Sequence, residues 1–539
     1  MKPNILDRAI AGVAPKYAMQ RMAARSALSF LNSGYGNYGA NQTKKTMRGW
    51  MFYGGSAKED IEDNIDILRQ RSRDAYMGIP TAAAALKTMR TNVIAGGLMP
   101  APQIDGDYLG LSQEQVEKLQ AQIIREFGLW ADTAVCDADR MDDFYKLQQL
   151  AFLGAQMNGD AIAVLPTGQQ KGQPYSLRVK IIEADRLCSP DGFDRLAPCE
   201  VQGHRVHRIV QGVETDQNGM VVAYWICNHH PLGNGTVDGT EMKWVRVEAY
   251  GELTGRRNVL HIITRERAGQ LRGVPILAPV LESLKQLGRY TEAEINAAVI
   301  SAMFTVFVQP QMATDGRPFG EMIPPEQLID TQDQGTIELG TGAIVSLNPG
   351  ETVQFADPKH PNNGYDAFSG AMIKQIGAAL EIPPEVMGKQ FSTSYSAARG
   401  ALNEFWRVCE MWRDWFATDF CQPIYEEWLA EAVALGRIKA PGFFSDPAIR
   451  KAYSGCKWNG PARTNLNPVQ EVSAAVSRVD AGFSTAQEET AQMTSGNYAY
   501  NIRQRAAEAK MKREVDDIIH PPQKTPEPPT DGAGGKEHE

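Results

Sequence analysis

The sequence has 539 residues, 43% of them apolar, so it is several times the size of a single-core domain and predicts several domains with real cores. Its formal net charge of −9 argues against a protein that stores or reads nucleic acid, because tight backbone binding depends on Lys and Arg displacing counterions. The most apolar window, AAVISAMFTVFV from Ala297 to Val308, contains Ser301 and Thr305 and falls well short of the roughly 20 residues that cross a bilayer, so no membrane contact is expected.

Residues 1–50 form a basic arm with Lys2, Arg8, Lys16, Arg21 and Arg25 but no continuous apolar stretch. A secretory signal is not expected, and the chain is read as made in the cytoplasm. The arm is either a solvated amphipathic helix or a disordered extension.

Helices come next. DIEDNIDILRQRSRDAYM and TAAAALKTMRTNVI are divided by Gly78 and Pro80 and closed by GGLMPAP. A third helix begins at Ser112 as N-cap and places Val116, Leu119, Ile123 and Phe127 on one face. A fourth begins near Asp142 and is expected to bury Phe144, Leu147, Leu150 and Leu153. From Ala161 the pattern changes to strands: AIAVLP, LRVKIIEA, HRIVQGVE, VVAYWIC, KWVRVEAY and NVLHIIT, with Asn218-Gly219 marking a tight hairpin.

This strand-rich region holds Cys188, Cys199, His204, His207, Cys227, His229 and His230, all capable of binding zinc. Their spacing fits no standard knuckle, so ordinary side chains in and around a sheet are expected, with no metal. The 7 cysteines of the chain are scattered without a C-x-x-C pair and read as free thiols.

After Gly273 the chain turns helical. Val280, Leu284, Leu287, Ile295, Ala298 and Ala302 recur at helical steps, with Pro275 and Pro279 confined to the start. FTVFVQP, a Pro- and Gly-rich stretch, and the short strands TIELG, AIVSL and TVQFA follow as a small α/β insertion. A second helix returns from about Tyr365, with Phe368, Met372, Ile376 and Leu380 in register, and stops at Pro383-Pro384. Helix, small insertion, helix is the outline of a protruding hairpin.

The next segment, with Gly388, Lys389, Gln390, Ser392, Thr393, Ser394 and Ser396, has little to bury and predicts an exposed loop. Beyond it Leu402, Phe405, Cys409, Trp412, Phe416 and Phe420 form an apolar stripe on a helix that continues to Gly436. Pro423 lies inside that helix and predicts a kink.

Several runs together resemble the lambda-type bacteriophage portal proteins: RSRDAYMGIPTAAAALKTMRTNVIAGGLMPAP, EFGLWADTAVCDADRMDDFYKLQQLAFLGAQMNGDAIAVLP, RGVPILAPVLESLKQLGRYTEAE, IPPEVMGKQFSTSYSAARGALNEFWR, FCQPIYEEWLAEAVALGRIKAPGF and WNGPARTNLNPVQEVSAAVSRVDAGFST. The resemblance covers nearly all of the chain between the basic arm and the C-terminal stretch. It implies a multidomain α+β portal fold that assembles, usually as a homododecamer, into a ring around a central channel. On that plan residues 51–272 are the wing, 273–305 and 364–384 the two stem helices, and 306–363 the clip. Residues 385–397 are the tunnel loop, 398–465 the kinked long helix returning to the wing, and 466–519 the crown. Residues 520–539 are disordered by composition.

The implied partners are further copies of the chain, the terminase large subunit, a head-tail adaptor or connector, the major capsid protein with its scaffold, and double-stranded DNA passing through without sequence readout. The implied place is the portal vertex of a virion. Lys389, Gln390, Ser392, Thr393, Ser394 and Tyr395 would line the DNA channel, while Leu284, Leu287, Ile295, Met372 and Ile376 would make subunit contacts in the stem. A channel loop must neither stick to phosphate nor be apolar, which Gly, Ser, Thr and one or two cations satisfy.

The sequence contains no Gly-rich phosphate loop ending in Lys-Ser/Thr, no H-E-x-x-H and no G-x-S-x-G. Asp137, Asp139, Asp142 and Asp143 could bind a hard cation, but Asp142 and Asp143 read better as cap and first-turn residues. No catalysis and no cofactor are expected, and ATP hydrolysis would belong to a partner. The alternative function is another ring-shaped phage adaptor or baseplate protein.

Overall fold

The computed structural model describes residues 5–31, 40, 44–50, 54–233, 241–252, 254–303, 307–310, 351–354, 364–390, 394–463 and 467–519. The chain divides into two units, Met1–Asp60 and Ile61–Glu539. The first contains α1 (Ile5–Val13), α2 (Pro15–Leu31) and α3 (Ala57–Asp60). Pro15 opens α2, where a missing N–H costs nothing. Ala18 is buried while Leu6, Val13, Tyr17 and Met19 face solvent.

The second unit opens with a helical layer. In α4 (Ile65–Gly78) and α5 (Pro80–Val93) Ile79 is extended, ending one helix and starting the next, and Pro80 presets the first turn. Strand β1 (Met99–Pro102) and the four-residue α6 (Gly106–Leu109) lead to α7 (Gln113–Ala131). The N-terminus of α7 is a capping box, in which the Ser112 hydroxyl accepts from Gln115 N and the Gln115 side chain accepts from Ser112 N. Helix α8 (Phe144–Asn158) is capped by Asp143, whose carboxylate accepts from Lys146 N. Phe144 and Leu147 are buried as expected, but Leu150 is exposed and Ala151 and Phe152 take the core positions. The correction follows from angle: 147, 151 and 155 form one stripe, and 150 lies about a third of a turn off it.

Strands β2 (Asp160–Val164), β3 (Lys180–Ile182), β4 (Cys199–Val201), β5 (His204–Val206), β6 (Arg208–Val210), β7 (Val213–Thr215), β8 (Val221–Cys227), β9 (Trp244–Glu248) and β10 (Val259–Ile263) follow. They form an antiparallel sheet in the order β10-β2-β3, the hairpin β4-β5, and the meander β6-β7-β8-β9. HRIVQGVE, expected as one strand, is two. The chain reverses at Gln211 (φ 46) and Gly212 (φ 82), and a Cβ at Gly212 would lie 2.6 Å from Cys188 N, so the turn is specific to glycine. Asn218-Gly219 does form the β7-β8 turn, with the Asp216 carboxylate accepting from Asn218 N and Met220 N.

A 3-10 turn, Ala278–Val280, leads into α9 (Leu281–Met303), followed by β11 (Phe307–Pro310), β12 (Glu351–Gln354) and α10 (Tyr365–Ala379). β11 and β12, which lie between the two helices in chain order, pair antiparallel. The predicted strands TIELG and AIVSL lie outside the described residues. Then come α11 (Pro384–Gly388), α12 (Tyr395–Phe416), a π-helical stretch Ala417–Cys421, α13 (Gln422–Ala434), α14 (Pro447–Ser454) and β13 (Cys456–Asn459), which pairs with β1. The last helices are α15 (Pro468–Asp480), α16 (Ala486–Thr494) and α17 (Tyr498–Ile519).

One apolar core joins the early helices to the late ones. Phe127 of α7 meets Trp428 of α13 edge-on at 4.9 Å, and Phe144 of α8 stacks on Phe420 of the π-helical stretch at 6.0 Å. Each buried aromatic contributes about 2–3 kcal/mol through area alone. Residues some 300 positions apart thus make one body, and α12 and α13 are held as part of it.

Candidate functional site

Three features bear on the expected sites: the segment between α11 and α12, the helix pair α9/α10, and the charged root from which that pair leaves the β-rich layer.

The polar segment is anchored on both sides. Ile382 and Met387 are buried before it and Ala398 after it, whereas Gly388, Lys389, Gln390, Ser394, Tyr395, Ser396 and Ala397 are exposed. The expected loop of 385–397 is shorter in the structure, because Pro384 starts a helical turn that runs to Gly388 and Tyr395 is the first residue of α12. Lys389 ends α11 in the left-handed region at φ 52, and its N–H donates to Glu385 O. Ser394 caps α12 by accepting from Ala397 N. Ser392 and Thr393 lie outside the described residues.

Helix α12 carries this segment on a firm support. Arg413 donates to the carbonyls of Asn92 and Val93 at the C-terminus of α5, both at 3.2 Å, and Trp415 Nε1 donates to Ile263 O. Phe405, Cys409, Phe416 and Phe420 are buried, with Leu402 and Trp412 partly so. Pro423 is the second residue of α13, directly after the π-helical stretch. A proline in uninterrupted α-helix would clash with the carbonyl of Asp419 and leave it unbonded. The wider π turn, in which Gln422 N donates to Ala417 O, accommodates the ring.

In the helix pair, Tyr290 stacks on Tyr365 at 5.7 Å and meets Phe368 at 4.8 Å, and the Thr291 and Tyr365 hydroxyls are 3.1 Å apart. Leu284, Leu287 and Ile376, expected at subunit contacts, are buried in this chain's own core, and Met372 packs partly buried against it. For Leu284, Leu287 and Ile376 that expectation is corrected, since these three side chains are already covered and need no neighbour to bury them; Met372 keeps part of its surface open. Ile295 differs. It is 58% exposed, together with Val299 and Phe368, so apolar side chains appear on the pair only beyond its root.

At the root lies a buried charge cluster that no spacing in the sequence announces. Arg272 and Asp160 have no exposed surface, and Arg272 Nε is 2.6 Å from Asp160 Oδ2. The same guanidinium donates to the carbonyls of Ala184, Leu187 and Gln211. Arg69 of α4 approaches both Asp160 oxygens at 3.4 Å, and His261 Nε2 lies 3.3 Å from Oδ2. Burial alone would raise the Asp160 pKa, but Arg272 and Arg69 overcome it and hold the carboxyl well below its ordinary range. Burial also lowers Arg69, to about 10. For His261 burial outweighs the pull of Asp160, so its pKa falls below the ordinary histidine value and the neutral ring is favoured, with Nε2 facing the carboxylate. Arg272 and Asp160 are 112 residues apart in sequence, which is why no local pattern joins them.

Among the described residues, Glu183, Asp185 and His230 bring possible ligand atoms within 4.8 Å of one another. The Arg73 guanidinium already bridges both carboxylates, at 3.0 and 2.6 Å, and His230 Nδ1 accepts from Leu232 N, which leaves the ring proton on Nε2 facing the acids. The group is an ion-pair cluster. Asp137 is occupied as well, accepting from the backbone of Asp139, Met141 and Asp142 to shape the turn before α8.

These features define an α+β subunit that presents a polar segment between anchored helices and extends a helical hairpin from a charge-locked root. The family model described as phage portal protein, lambda family, matches residues 43–413. Portal protein B of Escherichia phage lambda is 20% identical over 465 residues, covering 83% of this chain and 84% of its own length. The portal protein of Escherichia phage N15 is 21% identical, covering 88% and 89%. The probable portal protein of Halomonas phage phiHAP-1 is 24% identical, covering 72% and 70%. Among solved structures, a chain from the neck of a native gene transfer agent particle, computed with C12 symmetry, aligns with 79% of this chain and 92% of its own at 14% identity and a TM-score of 0.40. The chain belongs to the lambda family of phage portal proteins and is a structural protein of a tailed bacteriophage.

Proposed function

We propose that the chain is one subunit of a closed homo-oligomeric ring, a dodecamer, at a single capsid vertex, and that DNA enters and leaves the head through its central channel. The observation that carries this reading is the α9/α10 pair: its root is buried in the subunit's own core, while Ile295, Val299 and Phe368 further along remain exposed, as they would be if neighbouring subunits cover them. Residues 51–272 form the wing, with 398–465 returning to it, and residues 466–519 form the crown. Residues 273–305 and 364–384 form the stem, and residues 306–363 form the clip, where the terminase large subunit docks during packaging and a head-tail connector docks afterwards. Capsid protein and scaffold meet the outer wing.

The segment around Lys389 and Gln390 faces the channel in this reading. Its exposed, small and polar residues offer a duplex little to adhere to, and Lys389 supplies a weak phosphate contact that breaks as the duplex advances. Force comes from the ATP-hydrolysing partner, not from this chain.

Electron microscopy of the purified protein tests the proposal. A thick ring with twelve-fold symmetry and a central hole is expected. A monomer at high concentration, or a thin ring without stem density, would overturn it.

A further inference from the structure

Beside α7 lies a groove separate from the polar segment, the helix pair and the charged root. Helices α6, α7 and α14, with the chain just after α13, enclose about 540 Å³ there, within the size range of ordinary ligand sites. Two phenol rings line it, Tyr108 of α6, which is 57% exposed, and Tyr453 of α14, and neither hydroxyl is hydrogen-bonded among the described residues. Leu111 and Leu119 add apolar surface. The charged lining residues are Lys118 and Lys439, and no carboxylate lines the groove. Lys118 has an exposed partner in Glu114, a pairing worth little in water, and Lys439 has no ion-pair partner among the described residues.

Aromatic, apolar and cationic surface together fit an acidic, proline-rich strand. Prolines pack on tyrosine rings, leave their carbonyls open to phenol hydroxyls, and lose little freedom on docking because φ is already fixed. Carboxylates among them meet the lysines.

The chain itself supplies such a segment. Residues 520–539 lie outside the described residues, and their sequence from Pro521 to Asp531 reads PPQKTPEPPTD. Proline is its one apolar residue type, and its last part, PEPPTD, carries Glu527 and Asp531 and no cation. Position agrees with composition. Arg503 of α17 borders an adjoining groove together with Lys118 and Gln122, which also line this one. From Arg503 to the end of α17 at Ile519 is about 24 Å at 1.5 Å per residue. The chain from Ile519 to Pro529 reaches about 31 Å at the rise of a proline-rich strand.

We infer that PEPPTD, Pro526 to Asp531, docks in the tyrosine-lined groove of its own subunit and ties the chain beyond α17 to α6, α7 and α14. Pro526, Pro528 and Pro529 cover the apolar surface between Tyr108 and Tyr453, and Glu527 and Asp531 meet Lys118 and Lys439. The contact lies within one subunit and does not depend on the ring reading.

Photo-cross-linking tests this in the full chain, with p-benzoylphenylalanine in place of the exposed Tyr108 and the protein assembled from an equal mixture of light and heavy-isotope subunits. After irradiation and trypsin digestion, cross-links to the peptide that begins at Thr525 are expected, joining like isotopes only. Pro526→Ser, Pro528→Ser and Pro529→Ser together should lower their yield roughly tenfold. Lys439→Glu should lower it about threefold at low salt and less at high salt, where the charges are screened. Cross-links that fall elsewhere in the chain, none at all, or a yield that the proline variant leaves unchanged would overturn the inference. Cross-links joining unlike isotopes would overturn docking within the subunit and place the segment on a second copy.

Discussion

Arg272 grips Asp160 at 2.6 Å where neither side chain reaches water, and the residue after Arg272, Gly273, is pressed against the backbone of the residue before Asp160. A Cβ on Gly273 would lie 1.8 Å from Gly159 O, and Ile276 N donates to Gln156 O one turn further on. The helix pair thus leaves the β-rich layer through a joint locked by charge and by close backbone contact, so a load on α9 passes directly to α8 and β2.

Arg272→Met is expected to destabilise the subunit by about 3–5 kcal/mol, because three carbonyls lose a donor and Asp160 loses its nearest cation, keeping the more distant Arg69 with His261 and the Gly273 N–H beside it. Chemical denaturation followed by fluorescence reads this as a lower midpoint. An unchanged midpoint would show that the cluster is not what holds the joint.

His261 gives the joint a pH dependence. Its folded pKa is depressed, so below an unfolded value of about 6.5 the unfolded chain binds a proton that the folded chain does not. This contribution to stability is complete above about pH 6.5 and is lost as pH falls through that value, by at most about 1.4 kcal/mol per pH unit. His261→Gln should flatten that part of a thermal stability profile between pH 7 and 5. An identical slope in the variant would assign the dependence to other groups.

The helix pair separates folding from assembly. Leu284→Asp places a charge in the subunit's own core and should cost about 4 kcal/mol or more, giving insoluble or unfolded protein. Ile295→Asp alters an exposed position, so subunit stability should change by less than about 0.5 kcal/mol while ring mass by light scattering falls. Full-mass rings from Ile295→Asp would remove that residue from the subunit contact.

At the polar segment, Lys389→Glu should leave folding and ring mass unchanged, since the side chain is exposed. Packaging should slow, with the defect reduced by added salt, because charge interactions are screened within about 10 Å at 0.1 M. Normal packaging rates at low salt would argue that Lys389 does not meet the duplex. Ser394→Ala removes the cap of α12 and should cost about 1 kcal/mol locally, seen as faster amide exchange in its first turn.

Pro423→Ala restores an N–H just beyond the π-helical stretch and lets the α-helix run on through it. Stability should hold or rise while phage yield drops, if the turn sets where α12 points. Wild-type yield would show that the interruption has no mechanical consequence.

Much of the architecture was legible in the sequence because the signals are local. Ser112 as an N-cap, the acidic pair Asp142-Asp143 before a helix, Asn218-Gly219 as a turn, and Gly78 with Pro80 as a divider each act over a few residues, and the structure has the elements they predict, with Asp143 as the cap and Gln115 completing a capping box that was not read. The apolar stripe before Pro423 was legible for the same reason. Its role as a bridge between α5, α8 and the β-rich layer was not, because Arg413 to Asn92 and Trp415 to Ile263 are contacts across more than a hundred residues.

Three things were decided only by tertiary structure. Periodicity shows that Leu284, Leu287 and Ile376 face something apolar, but it cannot say whether that is the same chain or another copy; the packed core answers that it is the same chain. The polar segment has the same composition whether it is a long loop or a short one between two caps; Pro384 and Ser394 shorten it because the buried Met387 and Ala398 hold both ends. The Arg272–Asp160 joint depends on charged and polar groups brought together from α4, β2, β10 and the start of the hairpin, and a buried ion pair has no period to read. Sequence determines where each helix and strand can begin and end, since caps, turns and prolines act on neighbours; which faces meet is set by the global packing that buries them.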